Sequence, residues 1–208
     1  MIAVIDYGAG NLRSIQKALE RRGLAVRIIT EPGPLEEADA LVVPGDGAFG
    51  PAMAQFRSRG FADRIRAFVD SGRPFMGICL GMQLLFDESE EDGRHRGLGL
   101  LPGRVVRLAG SIKIPHMGWN SLTFVRPSPL LDGCVPDDFV YFIHSYHAVP
   151  VDHEIVAATA EYGGQVAAVV GRGNLWATQF HPEKSGGVGI RMLENFARWT
   201  AGAGAPRR

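Results

Sequence analysis

The apolar positions in the first half of the chain fall into short unbroken runs that alternate with helically spaced ones. Ile2 to Asp6 opens with apolar residues ahead of an acid. After the Gly8-Ala9-Gly10-Asn11 turn, Leu12, Ile15 and Leu19 recur at helical spacing up to Arg22, with Asn11 as N-cap and Gly23 just past the end. Ala25 to Ile29 predicts a second strand and Ala40 to Val43 a third, stopped by Pro44-Gly45. Phe61 to Asp70 sets Ile65, Phe68 and Val69 on one helical face. Pro74 to Ile78 then reads as a buried strand, and Leu80 to Phe86 as the helix that follows it. Apolar strands alternating with helices imply parallel strands covered on both faces.

The second half changes character. Arg104 to Leu108, Ser121 to Val125, Phe139 to Ile143, Ile155 to Ala160, Gln165 to Val170 and Leu175 to Thr178 are strand candidates, separated by turn signals such as Tyr162-Gly163-Gly164. No long helix intervenes, so an antiparallel section joins the parallel sheet. Val188 to Thr200 closes the chain as an amphipathic helix, and Ala201 to Arg208 resembles a frayed tail. The expectation is an α/β fold: a flavodoxin-like, doubly wound, mostly parallel sheet with an added antiparallel section, in one domain over residues 1–208.

Composition narrows the class. With 208 residues the chain can bury a full core without disulfides. Twenty-two basic and 22 acidic residues cancel to a net charge of 0, which speaks against a nucleic-acid partner, since phosphates are met with an excess of Lys and Arg. Only Cys79 and Cys134 are cysteines, and they are far apart, so neither a disulfide framework nor a thiolate metal site is expected and a reducing, cytoplasmic setting fits. The N-terminus lacks a basic leader, and no window nears the ~18 apolar residues of a membrane span. Glycine is unusually frequent at 27 residues, and glycine-lined loops let backbone amides approach a ligand closely.

Gly77-Ile78-Cys79-Leu80-Gly81 stands where a predicted strand meets a predicted helix. This is the layout of a nucleophile elbow, in which a sharp turn presents the central residue and small flanking residues relieve the crowding. A helix N-terminus would also favour a thiolate there. A lone cysteine is otherwise most often a buried small hydrophobe; the flanking glycines reverse that reading. A cysteine nucleophile needs a base and the base an orienting group. His181-Pro182-Glu183 follows the Leu175 to Thr178 strand and supplies both, if the segment stays extended so that residues two apart face the same side; a solvated surface His and Glu is the alternative. For an oxyanion, the Leu80 amide is one donor, and Pro44-Gly45-Asp46-Gly47 at a neighbouring strand end offers others unless it is a plain turn.

These motifs resemble class I, triad-type glutamine amidotransferase domains over nearly the whole chain. Asp6-Tyr7-Gly8-Ala9-Gly10-Asn11-Leu12, Pro115-His116-Met117-Gly118-Trp119-Asn120 and His144-Ser145-Tyr146-His147 are similar, more narrowly, to the family of glutaminase subunits serving imidazole glycerol phosphate synthases in histidine biosynthesis. The resemblance implies that Cys79 attacks the side-chain amide of L-glutamine, that His181 carries protons and that Glu183 holds His181. It implies Gln83, Glu91, Ser145 and Tyr146 as substrate contacts and Asn11, His116, Met117, Trp119 and Asn120 as docking residues for a separate cyclase subunit in a heterodimer, with no cofactor and no metal. Ammonia would pass to that cyclase, which makes imidazole glycerol phosphate and an aminoimidazole carboxamide ribonucleotide. One position departs from the pattern. Many relatives carry an apolar residue where Asp46 stands, and a carboxylate aimed inward would oppose an oxyanion, so its side chain is expected to point out. Without the family, Pro115 to Asn120 reads as a surface loop between strands, Asn11 as a helix cap, Gln83 as an ordinary helix residue, Cys134 as structural and His95 as solvated. Competing readings are a glutaminase for another synthase, a flavodoxin-like phosphate-binding module with an inert Cys79, and a thiol protease.

Overall fold

The structure is a computed structural model, and it describes residues 1–8, 12–21 and 23–203. Fourteen strands and five α-helices follow in chain order among the described residues. The first half carries β1 (Ile2–Ile5), α1 (Leu12–Glu20), β2 (Val26–Ile29), β3 (Ala40–Val43), α2 (Phe49–Ser58), α3 (Phe61–Asp70), β4 (Phe75–Ile78), α4 (Leu80–Gln83), β5 (Phe86–Ser89) and β6 (His95–Arg96). The second half carries β7 (Leu101–Arg107), β8 (His116–Ser121), β9 (Thr123–Phe124), β10 (Phe139–His144), β11 (Tyr146–Pro150), β12 (Val156–Glu161), β13 (Gln165–Arg172), β14 (Leu175–Thr178) and α5 (Gly186–Ala203).

Eight strands form the main sheet in the order β2-β1-β3-β4-β14-β13-β12-β9. The first five are parallel and the last three join antiparallel. β1, β3, β4 and β14 are buried at every position, because helices cover both faces. The period-two alternation divides the core between those faces. Ala3, Ile5, Leu41 and Phe75 pack with Phe49, Met53, Phe56, Ile65 and Phe68 of α2 and α3, whereas Ile2, Val4, Val42 and Met76 pack with Ile15, Leu19, Met192, Leu193 and Phe196 of α1 and α5. Two smaller sheets, β10-β8 and β11-β7-β5-β6, stand beside the main one.

Several sequence expectations are corrected here. The helix over Leu80 to Phe86 is a single turn, since the chain re-enters an extended path at β5. Pro115 to Asn120 is not a loop but mostly strand β8, paired antiparallel with β10. His95 is half-buried, its ring packed against Gly50 of α2, rather than solvated. The six strand candidates of the second half are spread over three sheets rather than one. The expected frayed tail begins later, since Ala201 to Ala203 still belong to α5; Asn11 and residues 204–208 lie outside the described residues.

Candidate active site

Pairing brings the separated motifs together. β14 runs parallel beside β4 with Thr178 opposite Ile78, so both chains leave the sheet at the same end and Gln179 emerges beside Cys79. On the other flank Val43 pairs with Gly77, which delivers Pro44 to Gly47 to the same rim. The carboxyl ends of parallel strands are where open α/β sheets bind ligands.

Cys79 sits at the turn from β4 to α4 with φ 54° and ψ −111°, a conformation that strains any residue with a Cβ. Its neighbours show why the elbow needs glycine. A Cβ on Gly77 would stand 2.7 Å from the Gly81 carbonyl oxygen, and one on Gly81 would stand 1.9 Å from that of Val43. The Cys79 sulfur lies 4.0 Å from the Ile143 carbonyl and accepts a contact from Gln179 Nε2 at 3.8 Å. Leu80 opens α4, and the first N–H groups of a helix have no partner within it. With only one turn behind it, the helix dipole adds little at the sulfur.

His181 stands across from Cys79. The expected extended run through Glu183 is not found; Pro182–Lys184 forms a 3₁₀ turn, from which Glu183 still reaches back to accept from His181 Nδ1 at 2.8 Å. Ser185 fastens this turn, donating to the His181 carbonyl and accepting from the Tyr141 N–H. Both side chains of the pair are hidden, at 6% and 1% exposure. Burial alone would push the His181 pKa down, but hydrogen bonds and charge from Cys79 and Glu183 outweigh it and hold it up at about 10.

A cleft of about 380 Å³ opens onto this centre. Its walls include the expected residues Asp46, Gly47, Cys79, Leu80 and Gln83, together with Glu91, Met117, Ser145, Tyr146 and His181. Gly45 lies behind the wall, so tightly packed that a Cβ there would meet the Tyr7 hydroxyl at 2.3 Å and Leu80 Cβ at 2.8 Å. Asp46 is exposed at the rim of the cleft, and its charge still reaches the buried Tyr7 hydroxyl. Glu91 also serves the fold, because its Oε2 accepts from the Phe49 N–H at 2.7 Å and so caps α2, whose own N-cap Ala48 has no side-chain acceptor. A larger hollow of about 580 Å³ lies elsewhere, among Asp39, Arg73 and Thr200, with no cysteine or histidine in its wall.

Strand alternation splits the expected docking residues. Met117 and Trp119 face outward at 59% and 55% exposure, beside the exposed Phe139 of β10. His116 is 3% exposed and turns inward, so it is removed from that face, and Asn120 is half-buried with its amide bonded to the Glu161 carbonyl. Sequence reasoning misses Tyr7, Gln179 and Lys184. Tyr7 is buried with an unpartnered hydroxyl, and burial, with the charges of Asp46 and Cys79, raises its pKa. Lys184 joins the cleft wall from the 3₁₀ turn.

The glutamine amidotransferase class-I family matches residues 3–199. "Imidazole glycerol phosphate synthase subunit HisH" of Syntrophotalea carbinolica is 53% identical over 203 residues, covering 94% of this chain and 98% of that one. The chain belongs to the HisH branch of the class I glutamine amidotransferases. The HisH of Geobacillus kaustophilus is likewise 53% identical, over 98% of this chain and 99% of its own. Among solved structures, a chain of PurLQS from Thermotoga maritima superposes with a TM-score of 0.77 at 20% identity, covering 95% of this amidotransferase and 97% of that chain, which bears on the fold alone. No helix among the described residues is long and apolar enough to cross a membrane.

Proposed function

We propose that this glutamine amidotransferase subunit works through a thioester on Cys79 and hands the ammonia to a cyclase subunit that completes histidine-pathway imidazole glycerol phosphate synthase. The Cys79 sulfur adds to the side-chain amide carbon of glutamine, forming a C–S bond. His181 donates the proton with which ammonia departs, and the C–N bond breaks. Water then gives a proton back to His181 and attacks the thioester, releasing glutamate and restoring the thiol. Glu183 keeps the imidazole oriented and supports its charge. The observation that carries this reading is the strained Cys79 elbow facing a histidine whose far nitrogen is held by a buried carboxylate.

The Leu80 N–H and one amide of Gly45 to Gly47 serve the oxyanion. Gln83, Ser145 and Tyr146 receive the amino-acid end of glutamine, with the second oxygen of Glu91 available to its ammonium. Met117 and Trp119, with Asn11, dock the cyclase, which the relatives' designation as a synthase subunit supports. The chain acts as one domain, in the cytoplasm, where the reaction's thiol stays reduced. Gly47 at φ +86° gives the loop a hinge that a partner can act on, so the free subunit is slow and the occupied complex fast. Glutamate release is measured with and without the cyclase and its ligand. A partner-dependent rise abolished by Cys79→Ala is expected; release that persists in Cys79→Ala refutes the mechanism.

A further inference from the structure

The inner side of β8 holds polar groups that the thioester chemistry does not use. His116 is stacked between Phe142, at 4.5 Å and 18°, and Tyr162, at 3.8 Å and 15°. Its Nδ1 lies 3.1 Å from His144 Nε2, and its Nε2 lies 3.3 Å from Asn120 Nδ2. His144 Nδ1 lies 2.9 Å from the Tyr146 carbonyl oxygen. The same carbonyl accepts from Gln83 Nε2 at 2.8 Å. Gln83 Nε2 also donates to Gln179 Oε1 at 3.0 Å, and Gln179 Nε2 points at the Cys79 sulfur.

The two ends dictate where every proton sits. A carbonyl only accepts, so His144 Nδ1 carries hydrogen. At the other end Asn120 Oδ1 accepts from the Ser121 N–H while Nδ2 donates to the Glu161 carbonyl, which fixes the amide's orientation. His116 Nε2 therefore accepts, and its Nδ1 donates to His144 Nε2. Two facing ring nitrogens cannot both carry hydrogen, and burial pushes both rings toward the neutral form, His144 to about 3 and His116 to about 4.

We propose that His116 and His144 are positioning residues for the nucleophile: with Asn120 they form a one-way hydrogen-bond chain that pins the Tyr146 carbonyl, from which Gln83 aligns the Gln179 amide on the Cys79 sulfur. Fully satisfied polar chains of this kind specify a single arrangement of the groups they connect. The chain rests on Cys79 as the nucleophile.

Two measurements test it. Imidazole ¹⁵N spectra of the full chain at neutral pH read the tautomers: both rings neutral with hydrogen on Nδ1 is the expected result, and an Nε2–H form or an imidazolium at either ring overturns the chain. Iodoacetamide alkylation of Cys79 and glutaminase kcat in the cyclase complex are then compared for His116→Phe and His116→Asn. Phenylalanine keeps the stack and removes the donor, whereas the asparagine amide nitrogen returns one near the Nδ1 position. His116→Phe slows both rates about tenfold, the size of one lost hydrogen bond, and His116→Asn recovers most of that loss. Wild-type rates in His116→Phe, or an equal loss in both variants, overturn the proposal. If His116→Phe does not fold, the tautomers of the unmodified chain decide. Failure of the unmodified chain to alkylate at Cys79 removes the nucleophile itself, and is seen before any variant is made.

Discussion

Exchanging Glu183 for glutamine isolates the charge that, in the proposed mechanism, supports the base. The Glu183 carboxylate receives His181 Nδ1 at 2.8 Å, and its side chain is 1% exposed, so water and salt screen the pair little. Against burial, Cys79 and Glu183 together lift His181 from 6.5 to about 10. That rise is worth roughly 5 kcal/mol in favour of the imidazolium. Part of that support is the Glu183 charge, and a hydrogen bond to a charged group is worth ~2 kcal/mol, or about 30-fold in rate if the same support is present when ammonia leaves. Glutamine at 183 keeps an acceptor in place and removes only the charge. The expected result is kcat for glutamate release about 30-fold lower in the cyclase complex, with a smaller change in KM. His181→Ala, which removes the proton carrier itself, costs more. A histidine whose folded pKa exceeds its unfolded one stabilises the fold fully below about 6.5 and loses that contribution as pH rises through about 10. Urea unfolding of the unmodified chain therefore weakens across this window, and Glu183→Gln flattens the slope. An unchanged kcat together with an unchanged slope would place the base elsewhere.

Three further outcomes follow from the same geometry. A glutamine-like electrophile labels Cys79 and spares Cys134, whose thiol burial pushes up to about 11, so mass-spectrometric labelling mainly at Cys134 would sink the nucleophile assignment. Trp119→Ala, removing an aromatic that is 55% exposed, weakens cyclase association by about 2 kcal/mol and lowers affinity more than the basal rate; an unchanged titration refutes the docking face. Gly81→Ala drives a Cβ to 1.9 Å from the backbone carbonyl oxygen of Val43, where neither atom can swing away, and costs ~3 kcal/mol or more in thermal unfolding, whereas a melt like the unmodified chain's contradicts the packing at the elbow.

What is legible in the sequence is local. The unbroken apolar runs at β1, β3, β4 and β14 announce strands buried on both faces, and the glycines around Cys79 announce an elbow, because each signal lies within a few residues. Helix α2 escapes a sequence reading although Phe49, Met53 and Phe56 keep helical spacing, since Gly50 and Pro51 in its first turn look like a break. β8 reads as a loop because it inverts the usual code: the inward positions, His116 and Asn120, are polar, and the outward ones, Met117 and Trp119, are apolar. Gln179 carries no local signal at all. Its place beside Cys79 comes from the pairing of Thr178 with Ile78, a hundred residues apart in sequence, and periodicity does not report such a contact.

The elbow also reverses an ordinary ranking of side chains. Elsewhere alanine is more favourable than glycine by ~0.5–1 kcal/mol, through the entropy of the unfolded chain. At position 79, with φ 54° and ψ −111°, every L side chain carries a backbone penalty of ~1–3 kcal/mol that glycine escapes. Cys79→Gly is therefore expected to unfold at higher urea than Cys79→Ala, and the reverse order would show that the backbone at position 79 carries no strain. The tension lies in the backbone beneath the thiol rather than in the thiol, so the fold would relax at the residue proposed as its nucleophile, and selection for thermal tolerance alone would erode that chemistry.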